Sequence, residues 1–126
     1  MSEQKLSQVT ALLARGPDQP NGDTRCGIVL EVCLTPQGNL DPAACSKEPW
    51  RVRRFWRDRP EWRGALLRLD DGKWGMQAAS NPDEPLRELD GQVFRPGEYL
   101  MLRRPNGEEL VFRIVSVEPA SHLAAC

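Results

Sequence analysis

The chain has 126 residues, 17 basic and 18 acidic side chains and a net charge of −1, which is about one domain's worth of sequence with enough bulk for a core of its own. That balance excludes the whole-surface basicity of a nonspecific nucleic-acid binder, and no run approaches the ~18 consecutive apolar residues of a membrane-spanning helix. Its arginine-heavy, lysine-poor composition fits a GC-rich bacterial genome as well as a taste for bidentate anion contacts.

Met1 to Lys5 lead into a polar amphipathic stretch rather than the apolar run of a signal peptide, so a cytoplasmic location is expected. Cys26, Cys33, Cys45 and Cys126 are then expected to be reduced thiols. Leu6, Val9 and Leu13, with Leu12 alongside, fall at helical spacing ahead of Gly16-Pro17, predicting an amphipathic helix at the N-terminus over residues 1–15, its regular part 3–15. Residues 16–23, with two prolines and two glycines, read as a connector to a β-rich domain over 24–118.

In that domain Cys26, Ile28, Leu30, Val32 and Leu34 alternate with Gly27, Val29, Glu31 and Cys33, the period-2 signature of a strand. Asp41 to Lys47 have room for a turn or two of helix. Residues 50–57 fit two elements. As a strand they send Trp50, Val52 and Trp56 to one face and Arg51, Arg53 and Arg57 to the other, with Arg54 and Phe55 breaking the segregation; as a helix they run from Pro49 to Pro60. The strand is the preferred reading.

Gly64 to Leu69 and Lys73 to Ala78 flank Asp70-Asp71-Gly72, a strong hairpin signal. Leu86 to Leu89 fit a single helical turn. Arg95-Pro96-Gly97-Glu98 has the Pro-Gly centre of a type II turn. Tyr99 to Arg103 and Leu110 to Val117 form a second hairpin around Arg104-Pro105-Asn106-Gly107, and its return strand, apolar on both faces, belongs in the middle of the fold. Residues 119–126, with the lone His122, read as a flexible tail. The expected fold is therefore α+β but mostly β: a small antiparallel barrel or curled sheet of about six strands plus the N-terminal helix.

Two strings resemble known families. Phe94 to Leu100 is similar to the start of a strand in flavin-binding barrels of the ferredoxin-reductase type, which usually read Pro-Gly-Gln-Tyr, although that family's Arg-x-Tyr-Ser string is missing here. The final hairpin resembles the last hairpin of PUA-like and ASCH-type small barrels, which implies binding of RNA or a modified base.

One segment concentrates the chemistry. Pro49 to Arg63 hold three of the four tryptophans and six arginines against Asp58 and Glu61, a charge of +4, while the remaining residues carry 11 basic and 16 acidic groups, hence −5. Trp50, Arg51, Arg53, Arg54, Trp56, Arg57, Arg59 and Trp62 are accordingly the candidate binding residues, suited to cation–π contact and to anions. They read first as structure, with arginine stems covering the rings and the acidic stretch 83–98 neutralising the charge. The functional reading is contact with another protein or a second copy, ahead of RNA or single-stranded nucleic acid bound by stacking. An enzyme comes last: no Gly-x-Ser-x-Gly elbow or Cys-x-x-Cys pair occurs, and Asp70, Asp71, Asp90 and Glu98 are the only carboxylates singled out for acid/base work. No cofactor and no metal site are expected.

Overall fold

The computed structural model describes residues 6–17, 19–41, 50–69, 73–79, 81, 83–91 and 93–119. Over these the chain forms eight strands and no helix: β1 (Ser7–Arg15), β2 (Asp23–Val32), β3 (Trp50–Trp56), β4 (Arg59–Arg68), β5 (Trp74–Ala78), β6 (Arg87–Asp90), β7 (Tyr99–Arg103) and β8 (Glu109–Pro119). Each strand pairs antiparallel with the next, and β8 closes on β1 to complete a barrel in simple up-and-down order. Closure leaves no free sheet edge.

The expected small antiparallel barrel is present; its count of about six strands and its helix are not. Where the helix was expected the chain runs as β1. Leu6, Val9 and Leu13 satisfy a helical stripe, but Val9, Ala11 and Leu13 satisfy strand alternation equally well, and all three are buried. The backbone decides between them: β1 lies between β2 and β8, so neighbours on both sides take up its N–H and C=O groups, whereas a lone helix of that length is marginal in water. Register shifts at Thr10/Ala11 and Leu13/Arg15 bend β1 around the barrel. Residues 86–89 correct a second expectation, the helical turn, because β6 is a strand that bridges β5 and β7. The expected helix over 41–47, apart from Asp41, and the expected tail over 119–126, apart from Pro119, which ends β8, lie outside the described residues, His122 included.

Turn chemistry follows the sequence where it can be seen. Gly97 has a φ of 95° and the Glu98 N–H donates to the Arg95 carbonyl at 3.0 Å, as a type II turn with Pro96-Gly97 at its centre requires. Gly107, at a φ of 91°, turns β7 into β8.

Inward positions alternate strictly along the strands and form one apolar core, including Val9, Ile28, Leu30, Trp50, Val52, Leu66, Met76, Leu89, Leu102, Phe112 and Ile114. Side chains fill the lumen, as an eight-stranded barrel's width allows. No polar or charged side chain among the described residues is fully buried. Cys26 and Cys33 are buried and in no disulfide; burial first, then the nearby Asp41 carboxylate, pushes the Cys33 thiol up from its ordinary value.

Two mouths result. One gathers the ends of β1, β3, β5 and β7 with the starts of β2, β4, β6 and β8, and it is here that the charged part of the Trp/Arg segment emerges.

Candidate binding site

β3 sorts its side chains by parity. Trp50 and Val52 are buried inward, Arg51 and Arg53 are exposed, and Arg54, Phe55 and Trp56 are half-buried. Arg54 lies opposite Ile28 on β2 and Trp62 on β4, so it shares the inner face with Trp50, Val52 and Trp56. Phe55 takes the outer face, where its ring covers Gly27 so closely that a Cβ there would come within 2.6 Å of the ring.

The three tryptophans of the segment occupy different depths. Trp50 is 7% exposed and stacks on Trp74, ring centroids 5.3 Å apart and planes 18° from parallel; it is core, and the structure does not bring it to the other candidates. Trp56 and Trp62 lie at the mouth, partly buried against that core. Between them stands Arg54, its guanidinium carbon 5.8 Å from each ring centroid, within cation–π range. Trp62 has room because the next inward position is Gly64, where a Cβ would lie 2.5 Å from the Trp62 ring.

Strands distant in sequence complete the mouth. Arg87 faces inward from β6, opposite Met76, and sits 5.0 Å from the Trp62 ring centroid. Its Nη1 donates to Glu84 at 2.8 Å, and the Trp62 indole N–H donates to the same Glu84 oxygen at 3.2 Å. Arg104, just past β7, pairs with Glu108 at 3.3 Å. Arg54 has no carboxylate within 4.0 Å among the described residues. Its Nε and that of Arg87 are shielded from solvent and meet no hydrogen-bond acceptor there. Desolvation, reinforced by Arg87, Arg104 and Arg59 and opposed by Glu84, pushes the Arg54 guanidinium down to about 10, still cationic at neutral pH.

Outside, the remaining arginines meet carboxylates near at hand rather than the stretch 83–98. Arg53 and Arg63 share Glu61, at 3.6 and 2.6 Å. Arg57 lies 3.5 Å from Asp23 and 3.9 Å from Asp58. Asp23 is held below the ordinary carboxylate value, chiefly by the Arg25 backbone N–H that it accepts. Arg51 and Arg59 have no carboxylate within 4.0 Å among the described residues. A shallow groove crosses this outer face between Val29, Arg51, Arg53 and Arg63. Among the described residues, the carboxylates of the stretch 83–98 reach the segment only through Glu84, and Glu88 pairs with Arg103 instead.

Sequence reasoning grouped Arg54 with the surface cations, named Glu84 only within the acidic stretch 83–98, and missed Gly64, Arg87 and Arg104 as parts of the site. Parity carried the signal for Arg54: a strand with Trp50 and Val52 inward turns residue 54 inward as well. The other four come into place only when the barrel closes. Among the described residues no three His, Cys, Asp or Glu side chains converge as metal ligands would. Asp90 and Glu98 lie near the opposite mouth, while Asp70 and Asp71 fall outside the described residues. Comparison with known proteins finds no matching family model, no similar curated protein and no similar solved structure.

Proposed function

We propose that the protein is a small non-catalytic binding module that holds an acidic, extended segment of a partner protein against the outer face of β2, β3 and β4. The observation that carries this reading is the surplus of guanidinium groups there. Arg51, Arg53, Arg57, Arg59 and Arg63 face solvent, and among the described residues they find within 4.0 Å only Asp23, Asp58 and Glu61. Arginine forks suit carboxylates, and Val29 between the arginines, with the Phe55 ring farther along β3, offers an apolar floor. The apolar interior and charged exterior support a module that works in water, the reverse of the lipid-facing pattern of a membrane barrel.

Nucleic acid is the weaker reading because sequence-tolerant binding wants exposed rings. Trp56 and Trp62 are half-buried and share Arg54, and the large aromatic side chain that is well exposed, Tyr99, lies away on β7. The test is fluorescence anisotropy with a labelled Glu/Asp-rich peptide and an oligouridine of equal charge. The peptide is expected to bind, and Arg51→Glu/Arg53→Glu to weaken it by at least about tenfold. Tighter binding of the oligonucleotide would transfer the site to nucleic acid, and no binding of either at low salt would remove the proposal.

A further inference from the structure

The inner face of the same hairpin carries a second site, independent of the partner surface. We infer that Arg54 and Arg87, at the mouth around Trp62, form a receptor for one small oxyanion, a phosphate or a carboxylate group.

Three observations converge on it. First, Arg54 is a cation placed at the rim of an otherwise apolar lumen with no carboxylate within 4.0 Å and no hydrogen bond from its guanidinium among the described residues, although Trp56 and Trp62 flank it on both sides. Guanidinium groups held against ring faces keep their N–H edges free, and those edges form the fork that matches two oxygens of a carboxylate or phosphate. Second, Arg87 stands at the same tryptophan with its own Nε dry and unbonded, so a second donor group is already in place. Third, the carboxylates nearby are committed elsewhere. Glu84 accepts from both Trp62 and Arg87, while Glu108 is held by Arg104 and by Asn106 at 2.8 Å. Among the described residues, the charges that act on Arg54 are thus the guanidinium groups of Arg59, Arg87 and Arg104 and the carboxylate of Glu84, which is already engaged. An anion at this position would regain what desolvation takes from Arg54 and would offset the repulsion among its neighbours.

A purely structural Arg54, capping the lumen with its stem, predicts different behaviour, and thermal unfolding of the full chain separates the two. Inorganic phosphate and, separately, acetate are titrated at constant ionic strength set with sodium chloride, with tryptophan fluorescence read in parallel. The expected result is a saturable rise in melting temperature, roughly 5–10 °C at about a hundred times the dissociation constant, together with a saturable change in emission from the mouth tryptophans. Arg53→Met, on the outer face, is expected to keep this response and Arg54→Met to lose it. Response to phosphate alone assigns a phosphate group; response to both assigns either oxyanion. Should Arg54→Met fail to fold, Arg54→Lys keeps the stem and charge without the fork, and at least a tenfold loss of phosphate affinity is expected. No saturable response to either anion, a response undiminished in Arg54→Met, or full affinity in Arg54→Lys would overturn the assignment. None of these outcomes depends on whether the acidic peptide binds outside.

Discussion

Trp50 and Trp62 look into the same lumen from adjacent strands, yet one end of the hairpin has used its tryptophan as filling and the other as a cradle. At the far end, Trp50, the first residue of β3, stacks on Trp74 among Val52, Leu66 and Met76, and Arg68 approaches that pair from the Trp74 side, 5.7 Å from its ring centroid. At the mouth, Trp62 lies beside two arginines and donates to Glu84. One residue of β3 separates the buried Val52 from Arg54. The same residue type on the same face thus serves cohesion where a second ring covers it, as at Trp50, and cation binding where guanidinium groups do, as at Trp62.

The Trp50 end gives the largest expected effect. Trp50→Ala removes a buried ring and its stacking partner's contact, and should cost about 3–5 kcal/mol, read as a lower urea midpoint with an unchanged slope. Trp62→Ala should cost clearly less, because that ring is only partly buried; equal losses would erase the distinction between the two ends. Gly64→Ala sharpens it from the other side. A Cβ at 64 meets the Gln77 carbonyl and the Trp62 ring, so about 1–3 kcal/mol of overpacking is expected, together with a shift in tryptophan emission as Trp62 is displaced. An unperturbed emission spectrum would mean that the ring does not rest on Gly64.

These contrasts also mark how far the sequence could be read. Alternation between Cys26 and Val32, the hairpins flanking residues 70–72 and 104–107 and the turn at 95–98 were legible because each is decided within a few residues. β1 was misread because Leu6, Val9 and Leu13 fit two periods at once, and what separates them is pairing with β8, about a hundred residues away in sequence. Seven of the eight candidate residues lie at the mouth or the outer face. Trp50 does not, and Arg54 points inward although it sits between outward arginines. Composition shows that cations are present; strand parity and closure decide which of them are dry.

Arg54 yields a smaller effect of unusual sign. Arg54→Met replaces a half-desolvated cation with an apolar chain of similar reach, and in anion-free buffer at neutral pH it should be neutral to about 1 kcal/mol stabilising. The pH dependence identifies the cause. The folded-state value, about 10, lies below the ordinary guanidinium value, so below pH 10 both states are protonated and the full penalty applies. Above pH 10 the unfolded chain binds more protons than the folded one, and stability from this group rises with pH. The advantage of Arg54→Met over the parent should therefore be constant up to about pH 10 and shrink above it. A gap that stays level to pH 12 would show that its origin is packing rather than charge.

The smallest effect belongs to the neighbour of Arg54 on the opposite face. Arg53 is half-exposed and reaches Glu61 at 3.6 Å, while Arg63 holds the same carboxylate at 2.6 Å, so removing one of two competing cations leaves Glu61 paired. Arg53→Ala should change stability by less than about 0.5 kcal/mol, with the difference vanishing in high salt. Adjacent arginines on one strand would then differ even in the sign of their contribution, with the outer one weakly favourable and salt-sensitive and the inner one unfavourable until an anion arrives. A loss above about 1 kcal/mol at Arg53 that persists in high salt would mean that its stem over Val29 matters more than its charge, and would move the outer face from an open surface towards a packed layer of the fold.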